Sequence, residues 1–135
     1  MKDRIQTSFD RQSMMQTFGA TLDDVADGRV TISAPILPGS RQQQGLAHAA
    51  LTFGLGDSAA GYAALTTLPP EQEVVTAEIK INLTAPAIGD RLIAKGRVIK
   101  PGRRLIVVTS EVFALNEGDE TLVAILQGTM VPVKS

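Results

Sequence analysis

Hydrophobic residues follow two different rhythms along this chain, and the change comes near Pro69-Pro70. Before it, Met14, Met15 and Phe18 fall on one side of an amphipathic stretch that Gly19 stops, which predicts a short N-terminal helix within residues 1–20. Asp27-Gly28 reads as a turn. Arg29 to Leu37 (RVTISAPIL) alternates as a strand that Pro35 confines to a sheet edge or to the strand's own end, and Pro38-Gly39 closes it. The segment 45–67 has no period of two, no proline and a wealth of Ala and Leu, so it predicts one central helix from Ala47 to about Thr66. That helix is apolar nearly all round, which requires burial on most of its faces.

After the two prolines the pattern turns to β-branched runs separated by turn signals. Glu73 to Leu83, Asp90 to Ile99, Arg104 to Leu115 and Thr121 to Val133 are four strands within 73–133, and Pro86 with Gly89, Pro101-Gly102 and NEGD at 116–119 join them as an antiparallel meander. The order is short helix, strand, long apolar helix, then strands. This predicts an α+β fold in which a single curved antiparallel sheet wraps around one long central helix. At 135 residues the chain fits one domain, 1–135. A lone sheet covers one side of the helix, so a second copy of the chain is the expected cover for what is left.

Composition removes several function classes. The 13 basic and 14 acidic side chains nearly cancel, and Lys100 with Arg103 and Arg104, or Lys95 with Arg97, lack interleaved aromatics, so nucleic acid is not an expected partner. The absence of cysteine excludes disulfides, thiolate metal sites and a cysteine nucleophile, and a single histidine leaves only carboxylates to complete a metal site. The N-terminus has no apolar core of a secretory signal, and the 45–67 segment, rich in Ala, Gly, Ser and Thr with a central Asp, suits a buried helix better than a membrane span. A cytoplasmic protein without membrane or metal follows as the expectation.

Within the central segment stand one formal charge, Asp57, and the chain's only histidine, His48. Burying an unpaired carboxylate is costly, so Asp57 either anchors the helix through neighbouring hydroxyls such as Thr52 and Ser58 or serves as a general base or nucleophile in a partly apolar pocket. His48 stands at the helix start, where free backbone N–H groups and the helix dipole favour a developing oxyanion, or where it simply bonds a nearby carbonyl. Nine positions at about 100° each put the two residues on opposite faces, about 13.5 Å apart along the axis. One site therefore cannot use both from one helix. If both act, the His48 end of one subunit meets Asp57 of another, and a symmetric dimer creates two composite sites. No GxSxG is present, and the GxG of Gly54 and Gly56 lies inside a helix, where close packing explains it better than a nucleotide does.

GLAHAALTFGLGDSAAGYAA resembles the G-x-x-H-G-G-x-x-x-x-x-x-D-x-A-x-G-x-A signature of hotdog-fold acyl-CoA thioesterases of the PaaI-like branch. Gly45, His48, Asp57, Ala59 and Gly61 keep their places in it. AEIKINLTAPAIGDRLIAKGRVIKPGRR is similar to the family's strand, Pro-Ala loop, Gly-Asp turn and basic turn, so the resemblance covers roughly residues 28 to 133. It implies that Asp57 activates water or attacks the thioester carbonyl, and that the Ala49 backbone N–H polarises that carbonyl. It also implies that His48 assists the thioester end, that Gln42 stands where an amide contacts substrate or water, and that the Thr76 hydroxyl holds the attacking water. Ala49 and Ala50 replace the family's two glycines, and their methyls narrow the approach to the substrate. Gly45 and Ala50 fall at the substrate, while Lys100, Arg103 and Arg104 are candidates for the CoA phosphates. Thioester hydrolysis needs no cofactor, CoA being part of the substrate. A homodimer, with a dimer of dimers left open, completes the expectation. Two rivals stand beside it, a non-catalytic acyl-thioester binding or regulatory domain and a hydratase for enoyl or hydroxyacyl thioesters on the same fold.

Overall fold

The computed structural model describes residues 1–135. Its N-terminal stretch forms two helices, α1 (Lys2–Arg11) and α2 (Ser13–Phe18), where one was expected. Gln12 breaks them with extended backbone, and its side chain is anchored on the Tyr62 hydroxyl at 3.0 Å, which ties the break to the central helix. Gly19, in the left-handed region at φ 69°, ends α2 as its sequence position foretold.

Two strands follow, β1 (Thr21–Ala26) and β2 (Arg29–Pro35), closed into a hairpin across Asp27-Gly28. The sequence expectation omits β1. A bulge between Leu22 and Asp24 shifts its register, so the alternation that marks a strand is interrupted where the acidic pair Asp23-Asp24 already reads as loop. Pro35 is the last residue of β2, which lies inside the sheet between β1 and the strand Arg91–Pro101, so the proline marks the strand's end and not a sheet edge.

The central helix, α3, runs Ala49–Leu65 with His48 as its N-cap. It starts two residues later than expected because Ala47 is held outside it, bridged to Arg41 and bonded through its N–H to the Ala87 carbonyl. Four long strands complete the sheet: β3 (Gln72–Leu83), β4 (Arg91–Pro101), β5 (Ile106–Asn116) and β6 (Asp119–Lys134). All pairings are antiparallel, in the order β1-β2-β4-β5-β6-β3. The expected four-strand meander is therefore only three strands long. Both edges of β4 are taken, by β2 and β5, so β3 pairs with β6 and the Pro86–Gly89 loop crosses the sheet end instead of closing a hairpin.

The sheet packs its apolar face on α3, where Leu51, Leu55 and Ala59 are buried among Leu92, Ala94, Val112 and Leu126. Two glycines make the close approach possible. A Cβ on Gly96 of β4 would run into the backbone of Ala59 and Ala60, and one on Gly56 would lie 2.8 Å from the Leu126 side chain. Where β5 crosses the helix, the buried Ser110 hydroxyl donates to the Gly56 carbonyl at 2.6 Å, so the one polar side chain in that contact is satisfied. No helix is long and apolar enough to cross a membrane.

Candidate active site

Asp57 projects from the middle of α3 toward β3, where it is half-buried. Its Oδ1 accepts a 2.8 Å hydrogen bond from the Thr76 hydroxyl. A bulge between Thr76 and Glu78 bends β3 beside the helix at this point. Burial raises the carboxyl's pKa above its ordinary 3.8, and the bond from Thr76 opposes that shift without cancelling it. The neighbouring hydroxyls are not its anchors: Ser58 donates to Gln12 Oε1 at 3.3 Å, and the partner of Asp57 comes from another element. The carboxylate opens onto a cleft of about 200 Å³, walled by Gln12, Ser58, Tyr62, Glu73, Thr76 and Met130 among others. A larger cleft of about 880 Å³ under α1 shares Ser8, Gln12, Tyr62, Leu65 and Glu73 with it.

The helix start offers the complementary chemistry. His48 Nδ1 accepts from the Ala50 N–H at 2.8 Å, which caps the helix and leaves Nε2 to carry the ring proton outward when the ring is neutral. The Ala50 donor is thereby used, and the His48 carbonyl takes the N–H groups of Leu51 and Thr52. The Ala49 N–H, at the first helical position, has no protein acceptor and points out with the positive end of the helix dipole. It lines a cleft of about 600 Å³ together with Gln42, His48, Thr52, Pro86 and Val123. The Gln42 amide folds back on its own loop: Oε1 accepts from the N–H groups of Gln44 and Leu46, and Nε2 donates to Gln44 Oε1 at 3.0 Å.

Two sets of expected site residues thus come together separately. Asp57 and Thr76 share one cleft, and Gln42, His48 and Ala49 share another that has no lining residue in common with the first. Gly45 lies in an exposed turn at φ 85°, lining neither cleft, and Ala50 is exposed beside His48. Lys100, Arg103 and Arg104 are exposed at the β4–β5 turn. Paired residues Thr76, Met130, Ile106 and Pro101 run in one row across β3, β6, β5 and β4, so that basic turn stands about 14 Å from Thr76, three strand spacings away. No three His, Asp or Glu side chains meet in a way that could hold a metal ion. The sequence reading missed Ser8, Gln12, Tyr62, Glu73 and Met130 around Asp57. Only Tyr62, the chain's single tyrosine five positions after Asp57, carried a readable signal.

A family model described as the thioesterase superfamily matches residues 44–121. An esterase candidate of Saccharolobus solfataricus is 36% identical over 87 residues, 64% of this chain and 55% of that protein, so the match spans about half the length of this curated relative. A thioesterase family protein from Silicibacter pomeroyi superposes with a TM-score of 0.97 at 36% identity, over 99% of this chain and 98% of that one. Two more distant structures share the fold: the E. coli PaaI protein from the phenylacetic acid degradation operon (TM-score 0.85, 18% identity, 96% and 91% covered) and BH2602 from Bacillus halodurans, solved with CoA (0.79, 24%, 97% and 84%).

Proposed function

The chain belongs to the thioesterase superfamily, and from that premise we propose that it hydrolyses acyl-CoA thioesters to a free carboxylic acid and CoA, in sites shared between two copies of the chain. The observation that carries this reading is Asp57, a half-buried carboxylate with a raised pKa at the floor of a cleft, its Oδ1 held by Thr76 and its Oδ2 free of protein donors. A carboxylate whose pKa rises toward the working pH becomes a better proton acceptor while staying mostly ionised. As general base, Asp57 takes a proton from water as the water oxygen attacks the thioester carbon. The C–S bond then breaks and the proton passes to the CoA sulfur. As nucleophile, Asp57 attacks the same carbon, the C–S bond breaks to expel the CoA thiolate, and water then cleaves the resulting anhydride, freeing the acid and Asp57 and giving its proton to the thiolate.

Both routes build negative charge on the carbonyl oxygen. The free Ala49 N–H and the His48 Nε2–H suit that charge, but they stand on the far face of α3, so the partner copy supplies them to each Asp57. BH2602 binds CoA on the same fold, which supports CoA as the leaving group, with Lys100, Arg103 and Arg104 within reach of its phosphates.

Asp57→Asn keeps the shape and the Thr76 bond while removing the base. Turnover of acyl-CoA, followed by thiol release, should fall by about 10²- to 10⁴-fold. Wild-type turnover in that variant would overturn the assignment.

A further inference from the structure

Resting on the reading of Asp57 as the group that meets the thioester carbon, we propose that Ser8, Gln12 and Tyr62 form a polar wall of the acyl pocket and select an acyl group carrying a neutral hydrogen-bonding oxygen. The cleft beside Asp57 holds about 200 Å³ and shares Ser8, Gln12 and Tyr62 with the larger cleft under α1. Ser58 and Tyr62 stand one and five residues beyond Asp57 on the same helix, so the wall begins about 1.5 Å and ends about 7.5 Å along the axis from the carboxylate. An oxygen on the third or fourth carbon of an acyl chain falls within that span.

The wall is polar and is drawn from two elements. Gln12 Nε2 donates to the Tyr62 hydroxyl at 3.0 Å, Ser58 donates to Gln12 Oε1 at 3.3 Å, and the Ser8 and Tyr62 hydroxyls lie 3.1 Å apart. These bonds orient the groups without exhausting them. The second N–H of Gln12, one lone pair of its Oε1 and a lone pair on Ser8 stay uncommitted. An acyl chain ending in methyl would strip water from these groups and return nothing, whereas a hydroxyl or carbonyl at that depth replaces the water. Leu65, Val74 and Met130 line the same cleft and suit the chain's methylenes.

Charge sets the second limit. Glu73 lines the cleft along with Asp57, and no Lys or Arg does; of the two arginines on the adjoining larger cleft, Arg4 spends its guanidinium on the Leu68, Pro69 and Gln72 carbonyls and on Glu73 itself at 3.6 Å, and Arg11 lies outside the wall of the smaller one. A terminal carboxylate on the acyl group would face two carboxylates with no cation among the side chains that line the cleft. The pocket therefore favours neutral polar acyl groups over both aliphatic and acidic ones of the same length.

The test is kcat/KM for four matched four-carbon substrates: butyryl-, 3-hydroxybutyryl-, 4-hydroxybutyryl- and succinyl-CoA. At least one hydroxylated substrate should exceed both butyryl- and succinyl-CoA by about tenfold or more. Tyr62→Phe deletes a single oxygen and leaves the ring packed against Phe9, and it should bring the ratio of hydroxylated to plain substrate down to about one, as should Gln12→Leu. Equal rates on butyryl- and both hydroxybutyryl-CoA in the wild type, or an unchanged ratio in Tyr62→Phe, would overturn the selectivity while leaving thioester hydrolysis in place. Asp57→Asn, run on the same panel, separates the two readings: if it hydrolyses every substrate at the wild-type rate, the underlying assignment of Asp57 fails and the pocket reading with it.

Discussion

With Asp57 as the proposed base or nucleophile, folding and catalysis pull against each other at this residue. Its raised pKa means that the folded protein binds the proton more tightly than the unfolded chain does, so ionising Asp57 costs folding free energy. The stabilisation by the protonated form is fully present below the ordinary value of 3.8 and is lost as pH rises through the raised one. Asp57→Asn should therefore melt at a higher temperature than wild type at pH 7, with the difference closing as both are taken below pH 3.8. The proposed catalysis needs the ionised form, so the acid limb of the kcat/KM profile should lie above the usual aspartate range. A variant that melts lower than wild type at pH 7 would show that the carboxylate is instead a structural anchor. Asp57 could be picked out from sequence because it is one charge in an uncharged segment, and burial makes such a charge expensive. Its partner Thr76 was reachable only through a family resemblance, since nothing local pairs positions 57 and 76. Ser8 and Gln12 were not legible, because a polar side chain on a short N-terminal helix, or at the break that ends it, has the same pattern whether it faces solvent or a cleft 46 to 54 residues away in sequence.

Elements were legible in proportion to how far their pattern was local. α3 and the four strands from β3 to β6 came out within two residues at most ends, because each carries a continuous apolar or alternating run. β1 was hidden by its bulge, and the pairing of β3 with β6 by its dependence on which strands already flank β4. Periodicity gives a strand's faces and leaves its neighbours open. The crossing of α3 over β4 is where packing leaves the least freedom. Gly96→Val would drive a branched side chain into the Ala59–Ala60 backbone of α3, which cannot move aside as a side chain tip could. Such overpacking typically costs about 1–3 kcal/mol, and here, against backbone, the upper end or more is expected. Urea unfolding of this variant should show a correspondingly lower midpoint. A midpoint equal to wild type would mean that α3 stands farther from β4 than the fold requires.

At the scale of the whole molecule the question is why the two proposed halves of the site stand apart on one chain. β3 is an outer strand with an unpaired edge, and Val75 and Leu83 on it are 49% and 58% exposed. Ala49, Ala50 and Phe53 are exposed at the start of α3. In the proposed dimer these surfaces meet a second copy, and a two-fold axis brings each helix start to the other's Asp57. The arrangement is testable with two variants that fail for different reasons. Ala49→Pro removes the free N–H and nothing else: the first helical position accepts proline, and His48 before it already has the extended backbone that a following proline demands, at φ −66° and ψ 143°. The variant should melt like wild type and lose about 10²- to 10³-fold in turnover, the usual worth of one oxyanion donor. Asp57→Asn lacks the carboxylate instead. When equal amounts are mixed and allowed to exchange subunits, about half of the dimers carry one copy of each, and in those dimers one of the two sites is wild type and the other doubly defective. Activity should then recover to about one quarter of the wild-type level from two nearly inactive preparations. If each site drew all its groups from one chain, no mixed dimer would hold an intact site and the mixture would stay inactive.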